Sequence, residues 1–350
     1  MRHGRSPCAY YNIALCLLNS TIPLNHTSNK STQNRPAGES AGAARYRDVD
    51  SEHHGQRLDN FLLASLKGVP RSHVYRLIRS GQVRVNSGRS SPSYRVVEGD
   101  RVRIPPVRQR PATPALGDGG GLGWLEERIV YEDSRLLVLD KPAGLAVHGG
   151  SGVSLGCIEA LRSLRPGLKT LELAHRLDRP TSGCLLVAKR RSTLRVLHEL
   201  LRQGLVEKRY LALLAGNWQH GELSVTDSLV TQRGSGDFRV RVDPSGKPAL
   251  SRFRLLEHYG RLASYMEVDI GTGRTHQIRV HAAHMGHAVA GDERYGDAQF
   301  NRRMQAAGLK RMFLHAHSVA FDWPDDGGQF SVSLPLPPDL AGLLQTLHSG

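Results

Sequence analysis

The sequence offers little from which to build a metal centre, a disulfide scaffold or a membrane anchor. Its four cysteines, Cys8, Cys16, Cys157 and Cys184, are scattered along 350 residues without a CxxC pair. That spacing argues against a zinc knuckle and a disulfide framework, and points to a reducing compartment, the cytoplasm. No apolar stretch approaches the length of a transmembrane helix, so no membrane partner is expected. The short apolar run Ala9 to Leu18 follows the basic Met1-Arg2-His3-Gly4-Arg5, yet no clean small-residue cleavage site comes after it. Residues 1–45 therefore read as a disordered leader rather than a signal peptide.

Several familiar catalytic patterns are also missing. Gly271-Thr272-Gly273 has no third glycine and no acidic ribose binder after it, which argues against a dinucleotide fold. Ser182 lies in Thr-Ser-Gly rather than a nucleophile elbow, so an acyl hydrolase is disfavoured. His281, His284 and His287, with His276 nearby, are spaced like metal ligands. Steps of three residues drift around a helix, however, and no His-Glu-x-x-His motif is present. These histidines read as packing or RNA-contact residues, and no metal is expected. There is no internal repeat.

Acidic residues are scarce too: 32 against 47 lysines and arginines, a formal charge of +15. Such an excess calls for a polyanionic partner, with nucleic acid first among the candidates. Much of it is concentrated between Arg57 and Arg110, where twelve arginines and lysines face three acids, a net +9. In that segment Leu58, Phe61, Leu62 and Leu66 have helical spacing. A second helix is expected after the cap-like Ser72, carrying Val74, Tyr75, Leu77 and Ile78 and stopping near Gly81. Val83 and Val85, then Val102 and Ile104, alternate with polar residues as half-exposed strands do. Arg76 and Arg79 would share a helical face beside the turn after Gly81, and Arg71 and Arg84 flank them. A basic module of this kind favours a reader of phosphate backbones.

A Pro- and Gly-rich tether, residues 108–123, separates this module from a larger mixed body over residues 124–350. Strands are expected at Ile129-Val130-Tyr131, Leu136 to Leu139, Cys184 to Ala188, Tyr210 to Leu214, Arg252 to Leu255 and Tyr265 to Val268. Leu194, Leu197, Leu200 and Leu201 mark a helix between Ser192 and Gly204. Helices and strands are interspersed without a βαβ rhythm, which predicts an α+β fold with a mixed, mostly antiparallel central sheet. The organising stretch is His175-Arg176-Leu177-Asp178-Arg179-Pro180-Thr181-Ser182-Gly183. It sets a carboxylate between two guanidinium groups in a turn that feeds a buried strand. A lone Asp in such company is by default a structural ion pair. Its neighbours elsewhere in the chain decide otherwise.

The module from Arg57-Leu58-Asp59-Asn60-Phe61-Leu62 through Arg71 to Asn86, ending in Gly99-Asp100-Arg101-Val102, resembles the S4 RNA-binding domain, here residues 46–107. His175-Arg176-Leu177-Asp178 with Thr181-Ser182-Gly183, Lys208-Arg209-Tyr210, and Gly273-Arg274-Thr275-His276-Gln277-Ile278-Arg279-Val280-His281 resemble the three core motifs of the RluA-type pseudouridine synthases. Gly291-Asp292 with Tyr295-Gly296, and Leu314-His315-Ala316-His317, are similar to the segments that follow. Within the family, Leu66-Lys67-Gly68-Val69-Pro70, Ile104-Pro105-Pro106-Val107 and Gly246-Lys247-Pro248 are most like members acting on large-subunit (23S) ribosomal RNA.

The resemblance implies an isomerase that needs no cofactor, because turning uridine into pseudouridine involves no redox change. It implies ribosomal RNA as partner, and the chain is expected to act as a monomer. Asp178 would be the nucleophile, by attack on the anomeric carbon or by assisting a glycal. Arg279 would be its ion-pair partner, holding it ionised and oriented. Tyr210 would lie beside the base as a stacking wall and acid-base group. Arg176 would fill the gap left by the everted nucleotide. Arg71, Arg76, Arg79 and Arg84 would grip RNA, and Asp140 and Lys141 would shape the pocket floor. One departure is His287-Ala288-Val289-Ala290, where the family often has a proline-isoleucine pair. A tRNA or small-subunit substrate is a rival reading, as is a catalytically silent assembly factor.

Overall fold

The computed structural model describes residues 43–66, 69–107, 122–149, 155–233 and 238–349. Most of the expected leader and tether, residues 1–42 and 108–121, lie outside the described residues, as do Lys67 and Gly68.

The N-terminal module opens with strand β1 (Arg45–Asp48), followed by helices α1 (Leu58–Ser65) and α2 (Arg71–Arg79). Strands β2 (Arg84–Val85) and β3 (Arg101–Ile104) complete an antiparallel sheet in the order β1-β3-β2. Leu58, Phe61 and Leu62 of α1 and Val74, Leu77 and Ile78 of α2 pack on Val85, Val102 and Ile104 of the sheet. The helical spacing of those apolar residues is what drives the arrangement. One local expectation is corrected. α2 begins at Arg71 with Pro70 at its N-cap, so Ser72 lies inside the first turn and caps nothing. Proline suits a helix start because its missing N–H would have had no partner there.

The larger body begins with β4 (Ile129–Glu132) and β5 (Leu136–Lys141), then α3 (Cys157–Leu164) and the short β6 (Glu172–Leu173). Strand β7 (Ser182–Ala188) follows, then α4 (Arg191–Gln203), ended by Gly204 in the left-handed region, and β8 (Glu207–Ala215). Next come β9 (Leu223–Val225), a separate hairpin of β10 (Leu229–Arg233) and β11 (Phe238–Val242), and β12 (Ser251–Tyr259) with β13 (Ala263–Ile270). Helices α5 (Gln277–His284) and α6 (Ala298–Ala306), strands β14 (Leu314–Asp322) and β15 (Gln329–Ser333), and helix α7 (Pro338–Ser349) close the chain.

The main sheet runs β4-β5-β7-β14-β8-β13-β12-β9, with β15 beside β14 and β6 beside β7. Its described pairings are antiparallel except β7 with β14, which gives the mixed, mostly antiparallel sheet expected from sequence. Every residue of β7 is buried, because helices and strands cover both faces. A doubly covered strand reads as an unbroken apolar run rather than an alternating one. Its parallel pairing to β14 depends on Gly183, which has φ 112° and lies opposite Ala316. A Cβ there would fall 2.2 Å from the Ala316 carbonyl oxygen. The strand can come this close only without a side chain.

Candidate active site

Asp178 lies in the loop between β6 and β7, and the loop is held by its backbone. Lys141, at the end of β5, is fully buried, and its ammonium donates to the carbonyls of Pro142 (2.8 Å), Leu145 (2.9 Å) and Arg179 (3.3 Å). Burial pushes its pKa down to about 8. Arg179 Nε donates to the Gly144 carbonyl at 2.9 Å, and Gly144 N–H to the Arg179 carbonyl at 2.8 Å, tying the two loops together. On the other side His175 Nε2 accepts the Leu186 N–H at 3.1 Å. Burial, aided by the Lys208 charge, pushes the pKa of this imidazole down to about 4 and so keeps it a neutral acceptor. Asp140 and Lys141 thus do not form the pocket floor. Asp140 pairs with Arg128 at 3.0 Å, and the Lys141 ammonium is spent on loop carbonyls.

The guanidinium groups next to Asp178 in sequence are not its partners among the described residues. Arg179 turns to Gly144, and Arg176 is exposed. The partner is Arg279, 101 positions downstream in the first turn of α5, whose Nη1 donates to Asp178 Oδ2 at 3.1 Å. The rest of that guanidinium grips Asp292, Nε to Oδ2 at 2.7 Å and Nη2 to Oδ1 at 2.9 Å. Asp292 Oδ1 also accepts the N–H groups of Arg294 (2.9 Å) and Tyr295 (3.1 Å). Burial pushes the Asp292 carboxyl upward, but Arg279 and these N–H groups outweigh it and hold the group below its ordinary value. Arg279 is itself buried, with its guanidinium 5.1 Å from the centre of the Tyr295 ring. A planar fork with five donors can serve two carboxylates and a ring face at once, which a lysine cannot.

Arg176, Asp178, Tyr210 and Arg279 line one pocket, together with Leu177, Ile270 and the segment from Gly273 to Ile278. Tyr210 reaches it from β8, between Val268 of β13 and Ala316 of β14. It is almost fully buried, and burial together with the Asp178 charge raises its phenol pKa, so it holds its proton. A wider basic groove opens outward from the same carboxylate, bordered by Arg176, Arg179, Lys310 and Arg311.

The four arginines expected to contact RNA lie on or beside α2 of the N-terminal module. Arg71, Arg76 and Arg79 are exposed and Arg84 is half-buried. Arg71 and Arg79 lie 5.6 Å and 5.9 Å from the Tyr75 ring centre, and Arg84 Nη1 donates to the Ser87 carbonyl at 3.3 Å.

Asp292 and Tyr295 carry no expected role, and His276 only that of a packing or RNA-contact histidine, although the segments that contain them stand out in the sequence. Only contact with Arg279 and Asp178 reveals their use, and such contacts leave no local signal. Of the histidines in that stretch, His281 lies 3.0 Å from Ser251 Oγ and 2.9 Å from the Asp227 carbonyl and His287 lies 2.8 Å from the Ala215 carbonyl, while His284 is exposed.

Two family models match the chain: an S4 domain over residues 56–102 and an RNA pseudouridylate synthase over residues 135–284. The protein named ribosomal large subunit pseudouridine synthase C in Pasteurella multocida is 48% identical over 303 residues, covering 86% of this chain and 93% of that protein. Its namesake in Escherichia coli K12 is 48% identical over 309 residues, covering 86% and 96%. Among solved structures, human RNA pseudouridylate synthase domain containing 1 aligns with a TM-score of 0.50 and 28% identity, over 63% of this chain and 94% of that one. Human RNA pseudouridylate synthase domain containing 4 shares the fold, with a TM-score of 0.55 at 23% identity, over 66% and 96%. With an S4 domain ahead of a mixed sheet and a carboxylate-arginine pocket at its centre, the chain belongs to the RluA family of RNA pseudouridine synthases.

Proposed function

We propose that this enzyme isomerises uridines of large-subunit (23S) ribosomal RNA, acting as a single chain in the cytoplasm with Asp178 as its nucleophile. The observation that carries the mechanism is the Asp178–Arg279 pair. One carboxylate oxygen, Oδ2, is held at 3.1 Å, while Oδ1 has no hydrogen-bond partner among the described residues, and Asp178 lines the pocket. An anchored carboxylate with one free oxygen suits attack on an anomeric carbon, or removal of a neighbouring proton on the glycal route. In either case the glycosidic electrons pass to the uracil, which turns and rejoins through carbon five. The protonated Tyr210 supplies a face for the base and a group able to exchange a proton near that carbon.

An everted uridine is needed to reach so recessed a carboxylate, and the exposed Arg176 at the rim is suited to take its place in the helix. Arg71, Arg76, Arg79 and Arg84 supply backbone affinity. The large-subunit target rests on the two bacterial relatives, which bear that name over most of the chain.

Primer extension after carbodiimide treatment of ribosomal RNA from a deletion strain should lose stops in the large subunit, and the intact gene should restore them. An Asp178→Asn gene should fail to restore them while its product still binds the RNA. Stops lost only from tRNA or the small subunit would refute the substrate, and full activity of the variant would refute the nucleophile.

A further inference from the structure

Tyr295 connects two parts of the molecule through one hydroxyl. Its Oη accepts the Val240 N–H from β11 at 3.0 Å and lies 2.8 Å from Nδ1 of His276. A phenol oxygen can accept twice, but the Tyr295 hydroxyl proton has no other acceptor among the described residues, which favours Oη donating to Nδ1. That bond leaves the imidazole proton on Nε2. Nε2 in turn lies 3.9 Å from Asp178 Oδ2, the same oxygen that Arg279 holds. The distance is too long for a hydrogen bond and short enough for an N–H dipole to act on a charge, both side chains being largely buried.

The imidazole is locked from several sides. The Phe238 ring meets it edge-on at 5.8 Å and the Tyr295 ring at 5.4 Å. Burial outweighs the attraction of Asp178 and lowers its pKa, and Arg279 and Arg294 add to the lowering, so the neutral ring prevails. Its backbone is left-handed, φ 55° and ψ 21°, at the position that caps α5. A non-glycine residue in that region is uncommon and signals a position the surroundings insist on.

We infer that His276, set in its Nε2–H tautomer by Tyr295, is a positioning residue that acts with Arg279 on Oδ2 of Asp178 and so reserves Oδ1 for the ribose. The inference rests on the reading of Asp178 as the nucleophile. Both donors favour negative charge on Oδ2 before attack and again when the sugar is released to the turned base. Arg279 supplies the net charge, and His276 supplies a neutral dipole that adds no competing cation.

Two mild variants test it in the full-length enzyme. Tyr295→Phe removes only the hydroxyl. His276→Asn keeps a residue type that tolerates left-handed backbone, and its amide can reach Tyr295 but not Asp178. On a ribosomal RNA transcript, each should lower kcat by about tenfold with KM within about twofold, and the double variant should be no worse than the poorer single one. In the resting enzyme, imidazole nitrogen-15 spectra should show an Nε2–H tautomer in a signal that His276→Asn abolishes and Tyr295→Phe shifts. An Nδ1–H tautomer would overturn the inference, as would unchanged kcat in His276→Asn, losses that multiply in the double variant, or a loss confined to KM. A wild-type enzyme without turnover on the transcript would sink the substrate reading instead, and the spectra would then judge His276 alone.

Discussion

Arginine is put to opposite uses in the two parts of this molecule. Around α2 the side chains of Arg71, Arg76 and Arg79 are exposed, two of them lying against Tyr75. At the head of α5, Arg279 is buried and every nitrogen of its guanidinium is engaged with a carboxylate. Exposed charge is screened and adaptable, so it supplies affinity that falls with salt. Buried charge is expensive to desolvate and persists only when fully paired, so it supplies geometry. On the proposed reading, one residue type grips RNA in one domain and fixes the Asp178 carboxylate in the other.

The sharpest way to break this comparison is at the carboxylate. Asp178→Asn should reduce turnover by about 10^4-fold or more with RNA affinity nearly unchanged, measured by single-turnover assay and filter binding. Arg279→Lys keeps the charge and loses the fork. It should cost about 100-fold or more in kcat, because one ammonium cannot hold both Asp292 and Asp178 in plane.

Next in size is the support beneath it. Asp292→Asn should destabilise the protein by about 3–5 kcal/mol in urea unfolding, since it strips a buried cation of its main partner. The surface side of the comparison is sharpened by Arg76→Ala with Arg79→Ala. That pair should weaken RNA binding by about tenfold and spare kcat. The slope of log affinity against log salt should fall by about one for each phosphate that the variant no longer neutralises. Tyr75→Phe is the smallest change. Its hydroxyl donates to the buried Asp59 at 2.6 Å, but Arg57 at 2.8 Å still pairs with that carboxylate. The expected loss is about 1–2 kcal/mol, in thermal denaturation of the module.

Burial also sets a pH dependence. His175 and His315 have pKa values pushed down to about 4 in the fold against 6.5 in the free side chain. Between those values the unfolded chain binds protons that the native state refuses. Their contribution to stability is thus full above pH 6.5 and is lost as pH falls towards 4. A melting temperature that stays flat across this interval would contradict their burial as neutral rings.

Much of the architecture was legible in the chain. The apolar run at Cys184 to Ala188 became the interior of β7, and Leu194, Leu197, Leu200 and Leu201 lie along α4, which Gly204 ends. Patterns of this kind can be read because periodicity and turn chemistry are local. Start signals were less dependable: Ser72 looked like a cap, and Pro70 held the position. At the site, motif order singled out Asp178, Tyr210 and Arg279, and the fold lines one pocket with all three. Asp140 and Lys141 were misread as pocket floor because their motif adjoins the active site, while Lys141 points into the loop carbonyls behind it.

The amino-acid sequence alone determined the basic N-terminal module, the α+β class and the identity of the acid at the centre, since composition, spacing and motif order are carried by neighbours along the chain. The tertiary structure decided how the acid is held: Arg279, the partner that the family resemblance implied, divides its guanidinium between Asp178 and Asp292. Arg176 and Arg179 are closest to Asp178 in sequence, yet the ion pair forms with Arg279, 101 positions away. A carboxylate's environment is set by whatever packing brings within a few ångströms, and chain distance does not enter Coulomb's law.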